Sequence, residues 1–216
     1  MSSQLPLPLP SRTRLGRADF VLAPCNSAAV ALIDIWPDWP VPAAALFGPT
    51  GSGKSHLAAI WAERAGADLL AAVDLVPELL HASTPLVIED VDARPLGLER
   101  EHVLFALLER GQSLVLTAHQ PPSAWMPEIP DLVSRYAALL TFPLWEPDDA
   151  LLQGLAKKLF ADRQLQVPDA VIVQMIRALE RSPGAVRDFV AKADEAALSE
   201  KKPVTLALIR SLLAKD

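Results

Sequence analysis

The chain has 216 residues, of which 20 are basic and 26 are acidic, so its formal net charge is −6. Its single cysteine, Cys25, excludes an internal disulfide framework and most structural zinc sites. No apolar run approaches the roughly 18 residues of a membrane span, and the acidic balance argues against free-standing, non-specific binding of nucleic acid. We expect a cytoplasmic protein without membrane contact and without direct sequence-specific DNA binding.

The first 17 residues differ in composition from the rest of the chain. Prolines alternate with other residues up to Pro10, and three arginines then follow without any acidic residue. Alternating prolines prevent a helix and favour an extended, solvated chain. We therefore expect residues 1–17 to form a flexible tail.

Short apolar runs then alternate with helical patterns as far as residue 144. The runs are apolar on both faces and bounded by turn residues, as is typical of buried parallel strands, and they cover 43–47, 69–73, 86–88, 114–117 and 137–142. Leucines on one face and a glycine at the end predict a helix over 98–110. This alternation predicts an α/β fold, a parallel sheet flanked by helices.

Strand patterns stop after residue 147. Amphipathic patterns predict one helix over 148–164 and another from Pro168, while Ser182 and Thr205 have the chemistry to cap a third and a fourth. We expect an α/β domain over 18–146 and a small all-helical domain over 147–216.

The segment from Gly48 to Ser55 matches the phosphate loop, which begins with glycine and ends in Gly-Lys-Ser. It follows a predicted strand and opens a predicted helix, which is the context that this motif requires. Its glycines let backbone N–H groups face phosphates, its lysine reaches the β- and γ-phosphates, and its serine ligates Mg²⁺. We expect ADP or ATP with Mg²⁺ to contact Gly48, Pro49, Thr50, Gly51, Ser52, Gly53, Lys54, Ser55 and His56.

Two further strand ends carry polar residues. The predicted strand 86–88 is followed by Glu89, a candidate ligand of Mg²⁺, and Asp90, which can orient an attacking water. The alternative is a strand that simply ends in charged residues at the surface. A strand placed between this one and the phosphate-loop strand would bring Thr117 and His119 near the γ-phosphate, although a capped strand end explains His119 equally well.

In this order the motifs resemble the AAA+ ATPases, and more narrowly the DnaA–Hda family, over nearly the whole chain. Residues 18–26 are similar to the family's entry segment beside the adenine, and 130–135 to the segment with an arginine finger. Residues 184–187 are similar to the sensor-2 turn of the helical lid. The resemblance implies an AAA+ P-loop NTPase fold with a helical lid, in which Arg187 contacts the bound phosphates and Arg135 acts on a neighbour's nucleotide.

Three features favour an Hda-type member of the family. We expect neither the DNA-binding domain that follows the lid in DnaA nor its N-terminal helicase-interaction domain. The tail is also similar to short peptides that bind the replication sliding clamp, through Gln4, Leu5, Leu7 and Leu9. Proline pre-sets an extended conformation, so the leucines can enter an apolar groove at a lower ordering cost. The alternative is a proline-rich tail without a partner.

The resemblance implies a regulator of replication initiation. It would bind nucleotide and the DNA-loaded clamp, dock on ATP-bound DnaA and stimulate ATP hydrolysis there through Arg135, which inactivates DnaA. The plain alternatives are a surface salt bridge for Arg135 and a solvated charge for Arg187. The family commonly has aspartates where this chain has Glu89 and His119, so we expect its own ATP hydrolysis to be weak or absent.

Two other functions stay open. An autonomous P-loop kinase or NTPase would explain the phosphate loop, but not the tail, the 130–135 segment or the helical C-terminus. An AAA+ adaptor or loader would bind a replication partner without triggering hydrolysis. The sequence decides neither the preference between ADP and ATP nor whether the chain forms a homodimer.

Overall fold

A computed structural model describes residues 16–200 and 203–214 of the chain. The predicted clamp-binding residues Gln4, Leu5, Leu7 and Leu9 lie outside these ranges. In chain order the strands and α-helices are α1 (Ser27–Ile35), β1 (Ala43–Phe47), α2 (Lys54–Ala65), β2 (Asp68–Ala71), β3 (Leu86–Glu89), α3 (Leu98–Glu109), β4 (Leu114–Ala118), α4 (Pro130–Ala137), β5 (Leu140–Pro143), α5 (Asp149–Asp162), α6 (Asp169–Ala178), α7 (Pro183–Glu200) and α8 (Leu206–Leu213).

Within the described ranges, five strands form one parallel sheet in the order β2-β3-β4-β1-β5. The predicted parallel sheet is therefore confirmed. β4 lies between β1 and β3, with Thr117 opposite Leu46 of β1. Parallel strands end at the same edge of a sheet, so the loops that follow β1, β3 and β4 meet there.

Helices cover both faces of the sheet, as the sequence predicts. Successive strand residues point to opposite faces, so Ala44 and Leu46 pack with α1 and α2, while Ala43 and Ala45 pack with α3 and α4. On the first face Trp61 of α2 is completely buried. This double cover explains why the strands are apolar along their whole length.

Two predicted strands differ from the structure by more than one residue at an end. The last strand begins at Leu140 and not at 137, because 137 is still part of α4, whose buried Tyr136 packs against α3. A short apolar run does not distinguish the last turn of a helix from a strand. The second strand covers Asp68–Ala71, and Ala72–Asp74 form a 3₁₀ turn.

After β5 the described chain continues as helices with a core of their own around Phe160, which is 1% exposed. The two predicted caps are present, because Ser182 accepts the backbone N–H of Ala185 and Thr205 that of Leu208. Asp148, predicted as the first residue of a helix, is also a cap and accepts the N–H of Leu151. Over the described ranges, no helix combines the length and the apolar character needed to cross a membrane.

Candidate functional site

A cavity of about 430 Å³ lies at the carboxyl edge of the sheet, bordered by the loop after β1, the segment before α1, and the helices α5 and α7. We call it the phosphate-loop cavity. Many of the predicted site residues line it: Thr50, Gly51, Ser52, Gly53, Lys54, Ser55, His56, Asp90 and Arg187. The fold thus brings together side chains that are far apart in the sequence.

Lys54 is held within the loop and is only 7% exposed. Its Nζ donates to the carbonyl oxygens of Gly48 and Pro49, both at 2.8 Å. Burial lowers the pKa of Lys54, while the negative charges of Asp90, Asp92 and Glu89 act in the opposite direction. The loop therefore positions a partly desolvated cation at the cavity wall, where its attraction for a phosphate is stronger than in water.

Gly48 is required for a steric reason. At its φ of +150°, an added Cβ would lie 2.0 Å from the carbonyl oxygen of Leu144. The two segments are close because the N–H of Leu144 donates to the carbonyl of Phe47 at 2.7 Å, directly after β5. The start of the phosphate loop is thereby fixed against the backbone of its neighbour.

Replacing Gly48 with alanine is expected to lower the free energy of unfolding by about 3 kcal/mol, because the new methyl group would collide with backbone atoms. Gly66→Ala is the matched control. Gly66 also has a positive φ of +63°, but an added Cβ there would meet nothing within 4 Å, so we expect a loss of about 1 kcal/mol. Urea unfolding measures the free energy of unfolding of both variants, and equal losses in the two would contradict the steric explanation.

The two acids at the carboxyl end of β3 differ in the cavities that they line. Asp90 lines the phosphate-loop cavity, and its backbone N–H donates to the buried hydroxyl of Thr117 at 3.1 Å while Asp90 adopts a φ of +57°. Glu89 and Asp90 both line a second cavity of about 230 Å³, and the buried Oε1 of Glu89 has no hydrogen-bond partner within the described residues. The structure therefore does not bring Glu89 to the same cavity as Ser55, with which it was expected to hold Mg²⁺.

The residues on the cavity wall fit Mg²⁺ that is bound together with a phosphate. Ser55 and Asp90 supply a hydroxyl and a carboxylate, the oxygen donors that Mg²⁺ prefers. In the part of the chain that the structure describes, no group of three or more His, Cys, Asp or Glu side chains could hold a metal. A magnesium ion with one or two protein ligands takes the others from phosphates and water.

His119 lies at the cavity wall, where the strand order places it. Its Nε2 is 3.4 Å from Oγ1 of Thr50, and its Nδ1 is 3.3 Å from Oδ1 of Asp92. Asp92 also accepts the backbone N–H of His119 at 2.9 Å and that of Gln120 at 2.7 Å. Sequence reasoning missed Asp92; its position two residues after the acid pair was the available signal.

The segment before α1 connects the sheet and the helical region beside the cavity. Phe20 packs in the sheet core and against the ring of His56, with centroids 5.0 Å apart. Val21 packs into the helical core instead, and Lys158 of α5 donates to Asp19 at 2.8 Å. Phe20 and Val21 thus give the cavity an apolar lining, with Phe20 beside Gly53 of the phosphate loop.

Arg187 reaches the cavity from the first turns of α7, next to Gly184. Burial lowers the pKa of Arg187, and the charges of Asp188 and Asp19 partly oppose this effect. A guanidinium stays charged even so, and it can donate two parallel N–H groups to a phosphate.

Arg135 lies on α4, outside the lining of the phosphate-loop cavity. Its guanidinium forms an ion pair with Glu109 of α3 and sits 5.8 Å from the ring centre of Phe105. Its side chain is 41% exposed. The start of α4 is fixed by the buried carboxylate of Glu101, which accepts the backbone N–H of Ile129 at 2.8 Å. The structure therefore does not bring Arg135 together with the other predicted residues.

Comparison with known proteins gives matches in structure. No protein-family model matches the chain, and no curated protein matches its sequence. Domain III of the replication initiation protein DnaA from Thermotoga maritima superimposes with a TM-score of 0.79 at 19% identity, covering 96% of this chain and 98% of that one. AMPPCP-bound DnaA from Aquifex aeolicus superimposes with a TM-score of 0.68 at 16% identity, covering 80% of this chain and 62% of that one.

A second class of protein has the same fold. The RuvB Holliday junction branch migration motor from Thermotoga maritima gives a TM-score of 0.64 at 17% identity, over 79% of this chain and 60% of that one. At these identities the likeness concerns the fold. The predicted fold class is confirmed: the chain has the AAA+ P-loop NTPase fold, a parallel sheet flanked by helices, that these initiator and motor structures share.

Proposed function

We propose that this chain is an AAA+ regulator of chromosomal replication initiation, which binds ADP or ATP with Mg²⁺ and stimulates hydrolysis of the ATP held by DnaA. The main support is the separation of its phosphate-directed cations. Lys54 and Arg187 line the chain's own phosphate-loop cavity, whereas Arg135 is partly exposed on α4. An arginine that acts on the nucleotide of a neighbour needs such a position outside its own site.

In the chain's own site, the loop N–H groups and Lys54 would hold the phosphates, and Arg187 would donate to them from α7. Ser55 and Asp90 would hold Mg²⁺, which neutralises charge on the β- and γ-phosphate oxygens when bound. Phe20 would form part of the wall beside the base. Glu89 lies in a different cavity, so we expect weak hydrolysis here and a mainly structural role for the nucleotide.

Across the interface with DnaA, Arg135 would complete the site around the initiator's ATP. Its guanidinium remains charged and offers several N–H donors to the phosphoryl group as negative charge develops. Arg135 would first have to break its ion pair with Glu109. The two side chains are 41% and 51% exposed, and an exposed ion pair contributes only about 0–1 kcal/mol, so this exchange costs little.

The tail would tie this activity to replicating DNA. Gln4, Leu5, Leu7 and Leu9 are proposed to bind the sliding clamp, on the evidence of the sequence and of its preference for an extended conformation. The protein would then act in the cytoplasm, on initiators near a clamp that is loaded on DNA. DnaA would become ADP-bound, which limits re-initiation.

The test follows labelled ATP pre-bound to DnaA after addition of this protein, with and without DNA-loaded clamp. We expect hydrolysis that depends on the clamp and is lost when Gln4 and Leu7 are both replaced by alanine. The matched control replaces Ser2 and Ser3, which precede the peptide, and should keep full activity. Hydrolysis of equal rate with and without the clamp would contradict the proposed role of the tail.

A second candidate function is an adaptor that binds a replication partner without triggering hydrolysis. The ion pair between Arg135 and Glu109 favours it, because Arg135 then has a partner within the chain itself. A stable complex with DnaA in which the bound ATP persists would support the adaptor and exclude the regulator. Phosphorylation of a small acceptor without any protein partner would instead support an autonomous kinase.

A further inference from the structure

A chain of hydrogen bonds connects three loops at the carboxyl edge of the sheet. Asp92 follows β3, His119 follows β4 and Thr50 follows β1, which are neighbouring strands. Nδ1 of His119 is 3.3 Å from Oδ1 of Asp92, and its Nε2 is 3.4 Å from Oγ1 of Thr50. One imidazole thus bridges a half-buried carboxylate and the phosphate loop.

The donors and acceptors of these side chains determine which group donates in each hydrogen bond of the series. The side chain of Asp92 is 10% exposed, and its carboxylate accepts the backbone N–H groups of His119 and Gln120. An ionised carboxylate only accepts, so Nδ1 of His119 must carry the hydrogen that faces it. In the neutral ring Nε2 is then a bare acceptor, and the hydroxyl of Thr50 donates to it.

The direction of these hydrogen bonds determines which donors and acceptors the cavity wall presents to a phosphate. The oxygens of a terminal phosphate accept hydrogen bonds and are stabilised by donors. With the hydrogen on Nδ1, His119 presents a lone pair at Nε2, and the hydroxyl hydrogen of Thr50 points toward the ring. Neither side chain then donates to a phosphate. The other tautomer would present an Nε2–H group at the same place.

We propose that Asp92 is a positioning residue that fixes the Nδ1–H tautomer of His119, and that this tautomer sets the relative affinity of the cavity for nucleoside triphosphate and diphosphate. The affinity part rests on the proposed nucleotide binding, whereas the tautomer is a property of the protein alone. Asp92 acts through His119 and through the backbone of the turn after β4, and it does not itself contact the nucleotide.

The tautomer is measured on the full chain without nucleotide, by nitrogen NMR of the histidine rings at a pH about two units above the ordinary imidazole pKa. The chain has four histidines, and His119→Gln identifies the signals of His119. We expect a protonated Nδ1 and a bare Nε2. A protonated Nε2 in the wild-type protein would overturn the proposal, whatever any variant does.

Asp92→Asn reverses the hydrogen bond, because its amide group can donate to Nδ1. We expect His119 to change to the Nε2–H tautomer and the affinity for AMPPCP relative to ADP to rise about three- to tenfold, the effect of one added hydrogen bond. Asp169→Asn makes the same exchange at an exposed side chain that pairs with Lys157 outside the phosphate-loop cavity, and it is the matched control, with both the tautomer and the affinity ratio unchanged. Circular dichroism confirms that each variant is folded.

An unchanged ratio in folded Asp92→Asn that has switched tautomer would overturn the link between His119 and nucleotide preference. If the wild-type chain binds neither AMPPCP nor ADP, the proposed nucleotide site fails and the affinity part fails with it. The NMR spectrum still decides the role of Asp92 in that case, so the two failures are distinguishable.

Discussion

Arg135→Ala is expected to fold, to bind the clamp and DnaA, and to leave the ATP on DnaA unhydrolysed. An arginine finger accelerates hydrolysis by about 10³–10⁵-fold, so its removal should abolish most of the stimulation. The fold should be little affected, because the variant loses a partly exposed ion pair with Glu109, which contributes only about 0–1 kcal/mol. Single-turnover hydrolysis of DnaA-bound ATP measures the effect.

Two further variants make this result specific. Arg135→Lys keeps the charge but loses the two-donor geometry, so we expect most of the stimulation to be lost as well. Arg181→Ala is the matched control, because Arg181 is also exposed and forms an ion pair, with Asp149 at 2.8 Å. It should retain full stimulation. Full stimulation by Arg135→Ala would assign Arg135 a structural role and favour the adaptor.

Lys54→Ala is expected to weaken the binding of ADP and ATP by about 10²-fold or more. The ammonium is the cation that the loop itself holds at the cavity wall, through the carbonyl groups of Gly48 and Pro49. Its charged hydrogen bonds to phosphate would be lost, and charge-assisted bonds are the strong ones. Titration calorimetry with ADP and Mg²⁺ measures the loss.

Lys157→Ala is the matched control for this change. Lys157 lies on α5 with a side chain that is 49% exposed, and it pairs with Asp169 at 2.8 Å. Its replacement removes the same charge from the chain and should leave nucleotide affinity unchanged. Equal affinities of Lys54→Ala and wild type would contradict a nucleotide site in the phosphate-loop cavity, and Arg187 would then need a different explanation.

The parts of the fold that local chemistry determines were predictable from the sequence. The strand and helix around the phosphate loop follow from an apolar run, glycines and a lysine in a fixed order. The caps at Ser182 and Thr205 follow from side chains that satisfy N–H groups three residues away. The position of His119 followed from the expected order of the strands.

Contacts between distant loops were not predictable in the same way. Of the two acids, only Asp90 lines the phosphate-loop cavity; it has a positive φ and donates its N–H to Thr117, a residue of another strand. Asp92 gains its role only because the turns after β3 and β4 lie side by side. No spacing within one segment encodes either contact, since both depend on how the strands are ordered.

Arg135 illustrates a different limit. The sequence left two roles open for Arg135, an arginine finger and a surface salt bridge. In the structure Arg135 does pair with Glu109. The pair does not exclude the finger, because both side chains are about half exposed, such a pair contributes only about 0–1 kcal/mol, and a phosphate of a docked partner can also accept two N–H groups. Only a measurement on the complex separates the two roles.

That measurement uses DnaA loaded with γ-labelled ATP and this protein loaded with unlabelled ADP, so every labelled phosphate released comes from the initiator. With DNA-loaded clamp present, we predict rapid release with the wild-type protein and none above background with Arg135→Ala. Label that stays on DnaA with the wild-type protein, in a complex that demonstrably forms, would contradict the proposal that this chain acts on its partner's nucleotide.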